Sequence, residues 1–201
     1  MLATVLDYSV IEIIVVLLIA YIVGSIPFGL LIANLKKVNL RELGSGNIGA
    51  TNVCRNIGWF YGIVTLILDS GKGYLITEIA LYMFENPWLH VIIGLFAIIG
   101  HSLSFLAQFK GGKGVATALG VLMALSPDVC IGIFIIGALL IALTRYVSPV
   151  TILCSIIVPI LLYLREYPIA YVVMHSIIAL FIVIRHRNNI KRIFLGTENR
   201  I

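Results

Sequence analysis

"VIEIIVVLLIAYIVGSIPFGLLIANL", residues 10–35, is the stretch whose reading decides the fold class. One charge, Glu12, lies near its start and the rest is uncharged and mostly apolar. About 20 such residues cross a bilayer as a helix, because in lipid every backbone group must find its partner inside the segment. Six more apolar segments follow: Tyr61–Phe84, Trp88–Phe109, Gly114–Leu125, Val129–Thr144, Val147–Leu164 and Ala170–Ile184. Each is longer than the ~10-residue alternating strands of a membrane barrel. Of the 201 residues, 61% are hydrophobic and 11% charged. Soluble domains lie near 45–50% and about 25%, and a soluble fold of this size could not hide so much apolar surface. The expectation is an all-α integral membrane protein, a single seven-helix transmembrane domain over residues 1–201.

The fourth and fifth segments are short and are joined by "SPD", residues 126–128. They could form one re-entrant pair; the reading adopted is two short spans. The positive-inside rule tests that count. With the N-terminus outside and the loops alternating, 14 Lys and Arg are to be distributed, and only Arg165 falls outside. Asp7, Glu12, Glu85, Asp128 and Glu166 mark the outer ends. Six or eight spans would break this separation, so the C-terminus is placed in the cytoplasm. The opening "MLATVLDYSV" lacks a basic stretch and a cleavage site, so no removable signal peptide is expected. The net charge of +5 is no nucleic-acid signal, because the charges fall between apolar runs. Cys130 and Cys154 read as small core residues and Cys54 as part of a polar loop; no spacing suggests a disulfide framework, a zinc site or another metal.

All the glycine-rich loops then share one face. The first is "GSGNIGATNVCR", residues 44–55. Gly44, Gly46 and Gly49 spell G-x-G-x-x-G, the dinucleotide fingerprint, but that site needs a preceding strand and a βαβ unit. Here a membrane helix and "KKVNLREL" precede the glycines. The glycines serve better as an anion-binding nest of backbone N–H groups. Ser45, Asn47, Thr51 and Asn52 add neutral donors, and Arg55 can hold a phosphate by two parallel bonds. A plain flexible turn would not need so many donors.

The second cluster is "FKGGKGVAT", residues 109–117. Lys110 and Lys113 bracket Gly111 and Gly112; Gly114 follows, and a helix running through Thr117 begins with free N–H groups that attract phosphate. It is no Walker A loop in any register. A charge anchor alone would not need glycines on both sides of Lys113. The third cluster, "IRHRNNIKRIFLGTENR" (residues 184–200), carries Arg185, His186, Arg187, Asn189, Lys191 and Arg192. Some of these charges, Lys191 and Arg200 above all, suit a basic tail on anionic lipid. His186 and Asn189 share a helix face at i,i+3. Within the apolar segments, Asp69 and Lys72 at i,i+3 suit an ion pair, His101 a supporting donor, and His175 a satisfied structural histidine; Glu78 has no assigned partner.

Three cationic, donor-rich loops beside a bilayer imply a phosphate-bearing ligand, and the apolar bundle behind them implies a lipid-like one. An enzyme of phospholipid synthesis fits this, with a transporter of a small phosphate or lipid-phosphate anion as the rival. None of the four histidines has Asp five residues on, and no Ser–His–Asp set is visible. An acyl donor would therefore have to arrive already activated, as an acyl phosphate is.

At this point "GSGNIGATNVCR", "GH…FKGGKGVAT" and "HRNNIKR…GTE" resemble the three signature regions of the bacterial acyl-phosphate:glycerol-3-phosphate acyltransferases, over nearly the whole chain. The resemblance implies a monomeric, cofactor-free enzyme of the bacterial cytoplasmic membrane with its site on the cytoplasmic side. It would move an acyl group from acyl phosphate to the 1-hydroxyl of sn-glycerol 3-phosphate, giving lysophosphatidic acid and inorganic phosphate. It places Ser45, Gly46, Asn47, Thr51, Asn52 and Arg55 around the phosphates. Lys113 becomes the central cation, supported by Lys110 and the loop from Gly111 to Thr117. Ser148 and Arg192 are further contacts, with His186 and Asn189 closing the glycerol phosphate side. One departure is Ser104, where the family commonly has Pro.

Overall fold

A computed structural model describes residues 8–201; the expectations for Asp7 and the N-terminal leader lie outside the described residues. Ten helices follow in order: α1 (Val10–Gly24), α2 (Phe28–Leu35), α3 (Ala50–Asn56), α4 (Trp59–Met83), α5 (Pro87–Ser102), α6 (Val115–Leu125), α7 (Pro127–Thr144), α8 (Val147–Leu164), α9 (Ile169–Arg185) and α10 (Arg187–Phe194). Among the described residues there is no strand, so the G-x-G-x-x-G has no nucleotide-binding frame.

Among the described residues four helical stretches are long and apolar enough to cross a membrane: Val10–Leu35, Pro87–Ala107, Pro127–Thr144 and Val147–Leu164. α9 passes the same test together with α10, across a 58° bend. α4 has 25 residues, and its buried Asp69 and Lys72 lower its mean hydropathy. α6 is apolar but has only 11 residues, about 16 Å of helix. The first apolar run is broken at Pro27, which lacks an N–H and separates α1 from α2.

Contacts sort the connections into two ends. At one, Tyr8 Oη accepts from Glu85 N–H at 2.8 Å, and Asp128 meets Tyr167 and Arg165. At the other, Arg41 donates to Lys110 and Ala107 carbonyls, and Ile201 N–H to Arg145 O. α6 and α7 therefore run between the ends as separate helices, joined at Ser126–Pro127.

Three apolar clusters hold the bundle. The largest joins α5 to α9 through Ile98, Val121, Cys130, Ile133, Leu162 and Ile178. A second packs α1 on α4 and α5 through Ala20, Ile76 and Ile93. The third seats α3 under α2 through Ala33, Ile48 and Val53. Close helix approach relies on missing side chains, as is usual in membranes: a Cβ on Gly100 would collide with Tyr21 O, and one on Gly73 with Thr117 O. Outward-facing Phe60, Tyr82 and Leu143 are more than two-thirds exposed, which suits lipid and not water.

The structure corrects one expectation of this level and gives the departure at Ser104 a local role. Residues 50–56 form helix α3 and not loop, so Cys54 is buried in a helix, against Gly62 of α4. Ser104, in the family's proline position, donates its hydroxyl to Ser25 O at the α1–α2 break and accepts from Ala107 N–H.

Candidate active site

The three polar clusters converge at one end of the bundle around a cavity of about 740 Å³. Its mouth is cationic and polar, lined by Ser45, Asn47, Thr51, Arg55, Lys113 and Asn189. Its body, between α6, α7, α8 and α9, is apolar. Trp59 and Ile63 of α4 and Phe134 of α7 line it and are about half exposed or more, so it opens sideways between α4 and α7.

Local sequence explains how each polar group arrives. Gly44 and Gly46 have φ of 57° and 67°, the left-handed region that side chains avoid. They fold the first loop back so that Ser45 N–H donates to Asn52 Oδ1 at 3.1 Å. Gly114, with φ 85°, turns the chain from Lys113 into α6. No side chain caps α6, so its first amides stay free, and Gly114, Val115 and Ala116 line the cavity. These are the conditions for an anion at a helix start.

The third cluster forms a hydrogen-bonded chain. Lys113 Nζ donates to Asn189 Oδ1 at 2.6 Å. Asn189 Nδ2 donates to Ser148 Oγ at 2.7 Å and to Glu198 Oε1 at 2.6 Å, and Ser148 Oγ donates to the same Oε1 at 2.6 Å. Arg192 Nε meets Glu198 Oε2 at 2.9 Å. Glu198 is the functional residue that the sequence patterns do not single out. The signal was present: it is a lone acid in a tail of arginines and lysines. Burial raises its pKa, but hydrogen bonds from Ser148, Asn189 and Arg192 outweigh that and hold it below the usual carboxylate range.

Lys113 is pushed down to about 8, first by burial and then by Arg192, Arg55 and Arg185, with Glu198 opposing them. His186 is pushed down to about 4, mainly by burial and by Lys113. Its Nδ1 lies 2.8 Å from Ile182 O, which can only accept, so Nδ1 carries the proton and Nε2 is a free acceptor at the cavity wall.

Other expected site residues do different work. Asn52 is buried and braces the first loop, donating to Leu40 O and Leu43 O; its side chain has no donor left for a ligand. Gly46 serves the turn and does not line the cavity. Gly111 and Gly112 are required by packing: a Cβ on either would strike His101. Their carbonyls accept from Arg185, which ties the second cluster to the third. Lys110 is exposed and is held through its backbone, its N–H donating to Ala107 O and its carbonyl accepting from Arg41. Thr117 is fully buried at the α4–α6 contact. Arg192 holds Glu198 and does not line the cavity. Arg55 lines it, but Nε and Nη2 already donate to the carbonyls of Arg200 and Asn199. That leaves the two N–H groups of Nη1 and the second of Nη2 for a phosphate, and the two bonds hold the C-terminal tail over the mouth.

His101 belongs to a buried set below the mouth. Lys72 Nζ lies 2.8 Å from Asp69, 2.8 Å from Ile26 O and 2.9 Å from His101 Nδ1. The expected Asp69–Lys72 pair is there, and it also locks the α1–α2 break to the imidazole under Gly112. His175, against the expectation of a satisfied histidine, is buried and lines the cavity with only one of its nitrogens partnered.

The glycerol-3-phosphate acyltransferase family profile matches residues 14–196. The glycerol-3-phosphate acyltransferase of Aquifex aeolicus is 43% identical over 90% of this chain and 95% of its own. That of Geobacter sulfurreducens is 44% identical over 90% and 94%. Among solved structures, PlsY (YgiH), an integral membrane glycerol 3-phosphate acyltransferase in its glycerol 3-phosphate form, superposes with a TM-score of 0.91 at 41% identity, covering 94% of this chain and 96% of that one. Its lysophosphatidic acid form gives 0.88 at 40% identity. A helical bundle that converges three glycine-rich clusters on a cationic mouth, and relatives matched over nine-tenths of its length, lead to one conclusion: the chain belongs to the glycerol-3-phosphate acyltransferase family.

Proposed function

We propose that this protein transfers an acyl group from acyl phosphate to the 1-hydroxyl of sn-glycerol 3-phosphate, releasing lysophosphatidic acid and inorganic phosphate. The observation that carries the reading is the joining of a cationic, donor-rich mouth to an apolar cavity open sideways between α4 and α7. One end suits two phosphates and the other an alkyl chain arriving from lipid. The loops of the mouth also hold most of the chain's positive charge. This supports seven spans in the bacterial cytoplasmic membrane, N-terminus outside, with the site facing the cytoplasm.

The hydroxyl of glycerol 3-phosphate attacks the acyl carbonyl, and negative charge grows on the carbonyl and phosphate oxygens. Lys113, the remaining donors of Arg55, Ser45, and the free amides at the start of α6 stabilise it. Asn189 and Ser148 hold Lys113 in place, with Glu198 behind them. His186 Nε2 accepts the hydrogen of the attacking hydroxyl and aligns it. With a pKa near 4 the ring is a poor final home for that proton. The phosphate leaving the donor is the better acceptor.

The test is phosphate release by purified protein in detergent, given acyl phosphate and glycerol 3-phosphate. Wild type releases phosphate in step with lysophosphatidic acid. Lys113→Ala stays folded and loses about a hundred- to a thousandfold, the scale of removing a central oxyanion donor. Uptake into vesicles without turnover would overturn the enzyme reading.

A further inference from the structure

Phosphate and carbonyl chemistry occupy the mouth of the cavity and leave its far end unexplained. On each wall helix the lining residue farthest from the mouth is Leu122 of α6, Ile133 of α7, Val158 of α8 and His175 of α9. Three are apolar. His175 is 4% exposed, with Nδ1 2.9 Å from Tyr171 O. That carbonyl only accepts, so Nδ1 carries the hydrogen and Nε2 of the neutral ring is a bare acceptor. Nε2 is buried and has no partner. Ser155, also on the wall, cannot meet it, because its hydroxyl donates to Ile152 O. A buried acceptor without a donor is costly, and an alkyl chain pressed against it offers no relief.

We infer that His175 is a specificity-determining residue that ends the acyl slot: a chain whose terminal methyl reaches it excludes the water that would otherwise satisfy Nε2, and is discriminated against. The inference rests on the acyl-transfer reading above. Three turns of α9, about 16 Å, separate His175 from His186 at the mouth, the extended length of about a dozen chain carbons. Longer chains must bend or press on the imidazole. The limit is therefore set by polarity as well as by space, and an apolar side chain of similar size relaxes it.

The experiment compares kcat/KM for acyl phosphates of 10 to 18 carbons in wild type, His175→Leu, His175→Ala and His175→Gln. The readout is the ratio of long-chain to short-chain kcat/KM, so a general loss of activity cancels. In His175→Leu and His175→Ala the ratio of 16 to 12 carbons rises roughly tenfold, the scale on which apolar pockets discriminate. His175→Gln, which keeps an acceptor, stays near wild type. An unchanged ratio in both Leu and Ala variants, or a Gln variant that shifts as far as Leu, overturns the inference. Thermal protection by lysophosphatidic acids of graded length reads the slot without turnover. If no donor length is turned over by wild type, yet the length limit in protection moves with His175→Leu, the acyl-transfer reading falls and the slot stands. A limit that does not move overturns the slot itself.

Discussion

Lys113 concentrates the electrostatic problem of this molecule in one ammonium group. Burial and three arginines disfavour its charge, while Glu198 opposes them and Asn189 Oδ1 accepts from it. Two consequences follow in opposite directions. Turnover that needs the ammonium falls as pH rises through about 8, seen as an alkaline limb in kcat/KM. Stability of the substrate-free protein does the reverse. The folded-state pKa lies below the ordinary lysine value near 10.5, so between those values the unfolded chain binds more protons and stability increases with pH. Thermal unfolding in detergent between pH 7.5 and 10 shows the rise, and Lys113→Ala abolishes it; a flat profile in wild type contradicts the assignment. Glu198→Gln removes the compensating charge. It moves the alkaline limb to lower pH and costs about 3 kcal/mol, as expected when one partner leaves a buried charge network. Most of the mouth was legible at this scale, because neutral donors beside an arginine or a lysine at the edge of a lipid-facing chain suit an anion, as Ser45, Asn47 and Thr51 do beside Arg55. Glu198 was not, because its importance lies in what it sits under and not in its own surroundings in sequence.

The elements are held by close contacts that composition alone hides. α4 and α6 meet backbone to backbone at Gly73 and Gly120: a Cβ on Gly73 would strike Thr117 O, and one on Gly120 would strike Ser70 O. Gly71, two residues away on α4, has open space around it. Gly73→Ala is therefore expected to cost about 1–3 kcal/mol by overpacking and to displace α6 with the amides at its start. Gly71→Ala is neutral or stabilising by up to about 1 kcal/mol, the helix propensity of alanine over glycine. Parallel unfolding curves check the contrast. The same logic governs Asp69. Its removal as Asp69→Ala strands Lys72 beside His101 in the interior, at about 3–5 kcal/mol. The double variant Asp69→Ala, Lys72→Met recovers part of that loss; equal loss in single and double variants argues against a pair. The apolar segments of the sequence anticipated α1 with α2, and α8, to the residue. The polar clusters misled at α3, where seven residues rich in Asn and Thr, poor helix formers, are nonetheless helical. Burial of Val53 under α2 outweighs that weak local preference.

For the whole molecule, charge and hydropathy predict a vertical arrangement, and chemistry can read it. In a background whose three cysteines are replaced, Arg165→Cys should react with an impermeant maleimide in intact cells. Lys191→Cys should react only after permeabilisation. The opposite pattern would invert the topology, and equal labelling would break the span count. What the sequence determined by itself was the lipid-embedded helical class, the segments, and the face on which the polar clusters gather. Those follow from transfer free energy and backbone hydrogen bonding, which act on each segment separately and need no partner. The tertiary structure alone decided which members of each cluster reach the cavity. Asn52, Gly111, Gly112 and Thr117 are spent on packing and bracing, Arg55 is shared with the C-terminal tail, and Glu198 is drawn beneath Asn189. The orientation of a side chain in a membrane bundle depends on neighbours brought from distant segments. No local rule carries that, because a glycine that cradles an anion and a glycine that clears a histidine are the same residue until the helices meet.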